Sequence, residues 1–134
     1  TASEANHDFV RSLGAEPVTY GDGLDERVRD LSPSGVDAVL DTRGGETLET
    51  SVALLSKGSV GRIASIADPG VSAHGGVYVF VRPDVADLDA LAALADDGKL
   101  VVEVAETFPL ADAARAWERS QEGHVRGKLV LTVG

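Results

Sequence analysis

The sequence contains no cysteine and no methionine, and aromatic residues make up only 4% of its 134 residues. Without cysteine the chain can form neither a disulfide framework nor a zinc site with thiolate ligands. Its three histidines, His7, His74 and His124, are too scattered along the sequence to suggest a metal cluster. We therefore expect no bound metal in this chain and a cytoplasmic location.

Basic residues and long apolar runs are also scarce. Twelve Lys and Arg against 22 Asp and Glu give a net charge of -10, which would repel the phosphates of a nucleic acid. The longest aliphatic stretches, such as Val77–Val81, have the length of a strand, whereas a membrane span needs roughly 20 apolar residues. The first residues have neither the basic region nor the apolar core of a signal peptide. We expect neither a nucleic acid nor a membrane as a partner.

The hydrophobic pattern alternates between helical and extended periods along the chain, which is typical of an α/β fold. Helices are predicted from Glu4 to Leu13, from about Asp25 to Leu31, around Leu48–Leu55, from Asp84 up to Gly98, and from Pro109 to Gly123. Extended segments are predicted at Pro17–Thr19, Val36–Asp41, Val60–Ile66, Val77–Val81, Leu100–Thr107 and Lys128–Val133.

Three of the predicted helices carry a clear apolar face. In the helix around Leu48–Leu55, Leu48, Val52 and Leu55 lie on one face, and Gly58 is expected to end the helix.

Asp84 is the expected N-cap of the next helix, in which Leu88 and Leu91 lie one turn apart. In the last helix Leu110 and Trp117 lie on the same face, so we expect Trp117 to pack in the core. A glycine-rich, polar loop is expected between residues 67 and 76, where His74 is a minor candidate for an active-site group.

Three short segments follow predicted strands and are the places to look for a ligand. In open α/β sheets the ligand lies beyond the carboxyl ends of the strands, which here are Asp41–Gly44, Ala64–Ala67 and Phe80–Arg82. The pair Gly44-Gly45 would let the backbone approach a ligand, and backbone amides there could bind ribose or phosphate oxygens. The same pair could equally form no more than the turn into the next helix.

Five segments of the chain match a known family in order and spacing: TASEANHDFVRSLGAE, VDAVLDTRGGETLE, GSVGRIASIA, VFVRPDVADLDALAALADDGKL and FPLADAARAWERSQEGHVRGKLVLTV. Over nearly its whole length the chain thus resembles the medium-chain dehydrogenase/reductases, and within them the zinc-free quinone oxidoreductase-like branch. The resemblance implies an α/β fold with part of a Rossmann domain, strands 3 to 6 with their helices, at residues 1–107. Residues 108–134 would form the helix and strand that return to the catalytic domain.

The resemblance also implies a function. Members of this family are NAD(P)H-dependent oxidoreductases, and this branch reduces quinones, enones or related small carbonyl compounds. Much of the substrate pocket comes from the amino-terminal domain of such enzymes, so the catalytic residues are unknown from this chain. Transferred position by position, the residues expected to bind the cofactor are Thr1 and Ser3 at the adenosine ribose, Tyr20 near the adenine, Thr42, Arg43, Ser65 and Ile66 along the cofactor, and Phe80 and Val81 near the nicotinamide.

Two departures from the family bear on the choice of cofactor. Relatives that prefer NADP often have a basic residue where this chain has Glu4. A carboxylate there would repel a 2'-phosphate, which argues against NADP. However, no Asp occupies the turn Thr1–Ser3, where an NAD enzyme would bind both ribose hydroxyls, and this argues against NAD. We expect NADP as the cofactor, with NAD possible. Arg43 stands where the family more often has a small or apolar residue, and its side chain could reach a cofactor phosphate.

The glycine-rich loop that would hold the cofactor's pyrophosphate is absent from this sequence. By the family's strand order, two strands are missing between the strand near Val18 and the strand Val36–Asp41, a gap on the order of 14 Å. We therefore expect the natural protein to be longer. A folded form of these 134 residues should either rearrange this edge or take a strand from a partner.

The strand Val77–Val81 predicts a contact between two copies of the chain. The family extends its sheet across a two-fold axis through this strand, and an exposed apolar edge rarely stays unpaired. We expect a homodimer; the alternative is an internal edge covered by a loop. An alternative function is a non-catalytic module for dimerisation or weak nucleotide binding, because the phosphate loop and the catalytic domain are both absent from the sequence.

Overall fold

The computed structural model describes residues 1–59 and 61–134 and divides into two compact units, Thr1–Val81 and Arg82–Gly134. In both units short helices alternate with short parallel strands, which confirms the predicted α/β class. No helix among the described residues is long and apolar enough to cross a membrane.

The first unit is built on a parallel sheet of three short strands, in the order β1 (Val39–Asp41), β2 (Ile63–Ser65) and β3 (Val77–Tyr78). Val39 pairs with Ile63, and Ala64 pairs with Val77. Three α-helices accompany the sheet: α1 (His7–Ser12), α2 (Leu24–Leu31) and α3 (Glu46–Leu54). Because the strands run parallel and in register, their carboxyl ends meet at one edge, where a ligand of such a sheet would bind.

The core of this unit lies between α3 and the sheet. Leu48, Ile63 and Val71 are almost fully buried, and Val52 and Leu55 pack partly against them. The predicted apolar face of the third helix is thereby confirmed. Burying each of the three large side chains contributes about 1.5–3 kcal/mol, which fixes α3 against β2 and holds the loop before α3 in place.

The predicted strand Val36–Asp41 is shortened at its start. Val36 forms an isolated parallel bridge with Leu55, donating its amide to the carbonyl of Leu54 and accepting from the amide of Ser56. Since the backbone of Val36 is satisfied by the end of α3, it does not extend the ladder with β2. The same bridge ends α3 at Leu54, ahead of the glycine expected to end it. The predicted start of the next strand, Val60, lies outside the described residues.

The predicted strand Val77–Val81 is shortened at its end. The amide of Val79 still donates to the carbonyl of Ser65 at 2.9 Å, but Phe80 and Val81 lie beyond the ladder. The physical reason is that β2 ends at Ser65 and the chain turns there, so no neighbouring backbone remains for those two residues.

The beginning of the chain pairs with the predicted extended segment Pro17–Thr19. Ala2 and Thr19 form an isolated parallel bridge, and the amide of Ala2 donates to the carbonyl of Val18 at 2.9 Å. Within the described part of the chain, this pair forms no ladder with β1. The helix predicted from Glu4 splits into a 3-10 turn, Glu4–Asn6, and α1, because the backbone of Asn6 leaves the helical region.

The second unit has the order α4 (Val85–Asp96), β4 (Val104–Pro109), α5 (Ala113–Gln121) and β5 (Lys128–Thr132), and β4 and β5 pair in parallel. The Asp84 carboxylate accepts from the amides of Ala86 and Asp87, which confirms the predicted N-cap. Because Pro109 pairs with Thr132 at the end of β4, it does not open the last helix as predicted; a 3-10 turn, Leu110–Asp112, precedes α5.

Burial in the second unit differs from the prediction. Trp117 is 67% exposed and Leu110 is 54% exposed, whereas Ala116 and Phe108 are buried. The expectation that Trp117 packs in the core is wrong in this structure, because one short helix on a two-stranded sheet covers only a small face.

The predicted boundary between residues 107 and 108 falls within β4, whereas the compact units divide between residues 81 and 82. The division by role, a cofactor-binding part and a returning segment, stays a prediction.

Candidate cofactor-binding edge of the first unit

A buried carboxylate joins the ends of β1 and β2. Asp41, the last residue of β1, is only 4% exposed, and its two oxygens accept four hydrogen bonds. The Ser65 hydroxyl donates at 2.6 Å, the Arg43 amide at 3.0 Å, and the Gly44 amide at 3.0 and 3.1 Å. Asp41 therefore ties the loop after β1 to the last residue of β2.

A second carboxylate extends this connection to the loop after β2. The Ser65 hydroxyl accepts from the amides of Ala67 and Asp68 at 3.1 and 2.9 Å. The Asp68 carboxylate in turn accepts from the Gly45 amide at 3.0 Å and from the Gly70 amide at 2.7 Å. We call the hydrogen-bonded set of Asp41, Ser65 and Asp68 the carboxylate clasp. It crosslinks the two loops that follow β1 and β2.

The clasp also explains the ionisation of Asp41. Burial alone would raise the pKa of Asp41, but the hydrogen bonds from Ser65, Gly44 and Arg43 outweigh it and hold the pKa below its ordinary value of 3.8. Asp41 is thus a carboxylate at neutral pH. The ionised Asp41 carboxylate can accept all of these hydrogen bonds, whereas a protonated carboxyl group would lose some of them because one of its oxygens would carry the proton.

The clasp bears on the two roles left open for Gly44-Gly45. The amides of Arg43, Gly44 and Gly45 already donate to Asp41 or Asp68, so they are not free for ribose or phosphate oxygens. Gly44 and Gly45 have φ of 74° and 60°, a conformation that favours glycine and turns these amides inward. Of the two roles left open for this glycine pair, the structure shows the turn into α3.

Ser65 ends β2 and Ile66 follows it, and the two residues differ in accessibility. The Ser65 side chain is fully buried, and its hydroxyl both donates and accepts within the clasp, so it positions the loops and does not face the solvent. Ile66 donates its amide to the carbonyl of Asp41 at 3.0 Å, and its side chain is 52% exposed. Of the two, Ile66 is the one whose side chain a ligand could contact.

Thr1, Thr42 and Arg43 are brought together around one cavity. This cavity, of about 300 Å³, opens beside the carboxyl end of β1. The lining of the cavity combines apolar residues of α2 and β1 with these three residues and with Thr47 and Ser51 on α3. The predicted adenosine end of the site and the loop after β1 therefore share one cavity.

Arg43 is the cationic residue among those that line this cavity. Its backbone amide is held by Asp41, yet among the described residues its exposed guanidinium forms no hydrogen bond or ion pair. Asp41, the carboxylate that also lines the cavity, already has both oxygens engaged by the chain's own donors. Within the described part of the chain, this cation is therefore free to pair with an incoming anion.

The remaining predicted cofactor residues lie elsewhere on the first unit. The Ser3 hydroxyl accepts from the Asn6 side chain at 3.2 Å, and Tyr20 is 51% exposed. Phe80 is 74% exposed with its ring centroid 6.4 Å from that of Tyr78, and Val81 is 77% exposed. None of these four lines the cavity at Arg43. Their roles as cofactor contacts stay predictions.

Sequence reasoning missed the role of Asp68 and gave Asp41 no specific partner. The signal for the first was the tripeptide Asp68-Pro69-Gly70, in which an Asp side chain caps the following turn. His74, the minor active-site candidate, lies 3.2 Å from the Glu49 carboxylate, a contact that connects the 3-10 turn Pro69–His74 to α3. Its role in an active site stays a prediction.

The pattern that defines the zinc-binding dehydrogenase family matches residues 13–131 of this chain. The chain therefore belongs to that family, and with it to the medium-chain dehydrogenase/reductases and their quinone oxidoreductase branch. The zinc in the family's name does not fit the residues present. The chain has no cysteine, and its described part contains no group of three His, Asp or Glu side chains that could hold a metal.

Individual relatives agree with this assignment. A mitochondrial NAD(P)H oxidoreductase of Danio rerio is 27% identical over 163 residues, covering 99% of this chain and 42% of the relative. A chloroplast envelope quinone oxidoreductase homologue of Arabidopsis thaliana is 28% identical, covering 98% of this chain and 43% of the relative. The crystal structure of an NAD-dependent alcohol dehydrogenase superposes with a TM-score of 0.79 at 25% identity, covering 98% of this chain and 42% of that chain. The chain thus spans less than half the length of these relatives.

Proposed function

We propose that this chain is the cofactor-binding, carboxyl-terminal portion of an NAD(P)H-dependent oxidoreductase. The observation that carries the proposal is the edge at the ends of β1 and β2, where the carboxylate clasp fixes two loops beside a cavity lined by Arg43, whose guanidinium has no partner within residues 1–59 and 61–134. A fixed edge of this kind is where a sheet of parallel strands binds a dinucleotide. Family membership and the nicotinamide enzymes among the relatives support the same function.

NADP is the proposed cofactor, with NAD as the alternative. The residues proposed to contact it are Thr1, Ser3, Tyr20, Thr42, Arg43, Ile66, Phe80 and Val81, with Ser65 holding the loops in place. A nicotinamide cofactor would supply a hydride, and the residues of this chain would bind and orient it. The backbone amides after β1 are already engaged by carboxylates, so in this portion side chains and not amides are proposed to bind the cofactor's charged groups.

The proposed substrate is a small quinone, enone or related carbonyl compound. Support comes from the quinone oxidoreductase among the relatives. The catalytic residues that transfer a proton to such a substrate are not assigned here. A cytoplasmic location and the absence of nucleic-acid and membrane partners also stay predictions.

A homodimer is proposed through the segment Val77–Val81. β3 is an outer strand of its sheet, and Val77, Val79, Phe80 and Val81 are between 46% and 77% exposed. Unpaired apolar edges of this kind favour pairing with a second copy. Such a dimer would lengthen the sheet without using the opposite edge at β1.

The test is a separate titration of NADPH and NADH, followed by quenching of protein fluorescence, with the full-length protein and with the isolated 134-residue chain. We expect binding by the full-length protein and much weaker binding by the isolated chain, because the sequence lacks a glycine-rich phosphate loop. If the full-length protein binds neither dinucleotide, the oxidoreductase proposal is wrong. Equal binding by both forms would favour the alternative of a nucleotide-binding module without catalysis.

A further inference from the structure

We propose that Asp68 is a positioning residue for the cofactor. Its carboxylate joins the loop after β1 to the loop after β2 before any ligand is bound, and this link raises the affinity for the dinucleotide without any contact between Asp68 and the ligand. The proposal rests on the proposed function, since it concerns the same dinucleotide and the same edge of the sheet.

The first argument is the pair of hydrogen bonds that the Asp68 side chain accepts. One oxygen accepts from the Gly70 amide at 2.7 Å and the other from the Gly45 amide at 3.0 Å. Gly70 is two residues away, so the first bond is local and caps the 3-10 turn Pro69–His74. Gly45 is 23 positions away and directly precedes α3, so the second bond connects two separate loops.

The second argument is that these two loops carry residues proposed to contact the cofactor. Thr42 and Arg43 lie on the loop after β1, and Ile66 begins the loop after β2. A dinucleotide that contacts both loops must hold them at a fixed separation. If the protein already holds that separation, less conformational freedom is lost on binding and the affinity is higher.

The third argument is the rigid support behind Asp68. In the turn that follows it, Val71 is fully buried and packs in one cluster with Leu48 of α3. At the end of the turn, His74 lies 3.2 Å from the Glu49 carboxylate of the same helix. Every partner in these contacts follows β1 in the sequence, so the link is complete without the strands that the longer protein is expected to add.

The fourth argument separates Asp68 from the buried part of the clasp. Asp41 and Ser65 are buried, so their replacement removes support from the fold itself. Asp68 is only partly buried, and among the described residues its side chain has one hydrogen bond beyond its own turn, the bond from Gly45. Loss of that bond should loosen the loop after β1 while the hydrogen bonds to Asp41 remain.

The experiment compares the full-length protein with the variants D68N, D68A and D84N. In D68N the side chain keeps one acceptor oxygen, which can retain the local bond from Gly70, but its NH2 group would face the Gly45 amide, another donor. D68N therefore breaks the link and keeps the turn, whereas D68A removes both. Asp84 is the matched control, because it also caps a helix and loses the same charge but belongs to the second unit.

The first measurement is the dissociation constant of NADPH and of NADH. We expect D68N to weaken the binding of both by about 5- to 20-fold, near the lower end for a hydrogen bond to a charged group, since Asp68 is partly exposed. The two cofactors should be affected equally within about twofold, because Asp68 positions the loops and contacts neither dinucleotide. D68A should weaken binding at least as much, and D84N should match the wild type.

The second measurement is hydrogen exchange of residues 42–46 with and without saturating NADPH, which separates positioning from general stability. In D68N these residues should exchange faster than in the wild type without cofactor and at the wild-type rate with it, because the bound dinucleotide then holds both loops. A general loss of stability would instead raise exchange throughout the first unit, in α2 as well as in the loop.

Three results would overturn the proposal. The first is unchanged binding of both cofactors by D68N. The second is weaker binding with wild-type exchange at residues 42–46, which would indicate direct contact between Asp68 and the ligand. The third is faster exchange throughout the first unit. A wild-type protein that binds neither dinucleotide would contradict the proposed function, whereas exchange without cofactor would still show whether Asp68 links the loops, so the two failures are distinguishable.

Discussion

Replacing Asp41 by asparagine tests the clasp on which the candidate site depends. The side chain keeps its size, but one carboxylate oxygen becomes an NH2 group. If the remaining oxygen keeps the bonds from Arg43 and Gly44, the new NH2 group faces the Ser65 hydroxyl. That hydroxyl already accepts from two amides, so its own proton loses its acceptor in a fully buried position.

The magnitude follows from these contacts. A hydrogen bond to a charged group contributes about 1.5–3 kcal/mol, and an unsatisfied buried group costs about 1–3 kcal/mol. These two terms overlap, so we expect D41N to lower the free energy of unfolding by about 2–4 kcal/mol. For a protein of more than about 150 residues, such as the full-length protein used in the assay, each kcal/mol corresponds to about 2–4 °C in the melting temperature.

The effect should depend on pH with a definite sign. The folded pKa of Asp41 lies below its ordinary value of 3.8, so its ionised form stabilises the fold at neutral pH. This contribution is fully present above the unfolded pKa and is lost as the pH falls through the folded pKa. The difference in stability between the wild type and D41N should therefore be constant near pH 7 and shrink below about pH 4.

The assay is thermal unfolding of the full-length protein, combined with hydrogen exchange of the peptide that contains residues 41–46. D37N is the matched control, because Asp37 lies in the same segment, is exposed, and loses the same charge. We expect faster exchange and a lower melting temperature for D41N and no change for D37N. In a double-mutant cycle with S65A, the two substitutions should be less than additive by about 0.5–3 kcal/mol. Equal melting temperatures for D41N and D37N at pH 7 would refute the reasoning.

Two further predictions follow from packing. G76A should destabilise the protein by about 1–3 kcal/mol in chemical denaturation, because the added Cβ would lie 2.5 Å from the carbonyl oxygen of Ile63. G58A is the control, since a Cβ added at Gly58 would meet no atom within 4 Å. Equal stabilities of the two variants would contradict the packing argument. V79K should convert the proposed dimer into a monomer in sedimentation velocity, because a charge on the apolar edge opposes pairing; a variant that stays dimeric would place the interface elsewhere.

Local features of the structure could be predicted from the sequence. The Asp84 cap, the apolar face containing Leu48 and the parallel α/β pattern follow from residues only a few positions apart, whose effects act within one helix or strand. The family resemblance likewise rests on segments in a fixed order. Prediction failed where burial depends on what packs against an element. Leu88 and Trp117 have the spacing of a buried face, yet both remain more than half exposed.

The class of fold, the family and the type of cofactor to expect could be predicted from the sequence, because they depend on local patterns and on segment order. Which groups are engaged at the candidate site depends instead on contacts between distant segments. Asp41 and Ser65 are 24 positions apart, and their hydrogen bond exists because β1 and β2 align in parallel register. That alignment places the buried Asp41 carboxylate where the Arg43 and Gly44 amides and the Ser65 hydroxyl can all donate to it, and a buried charge needs such partners.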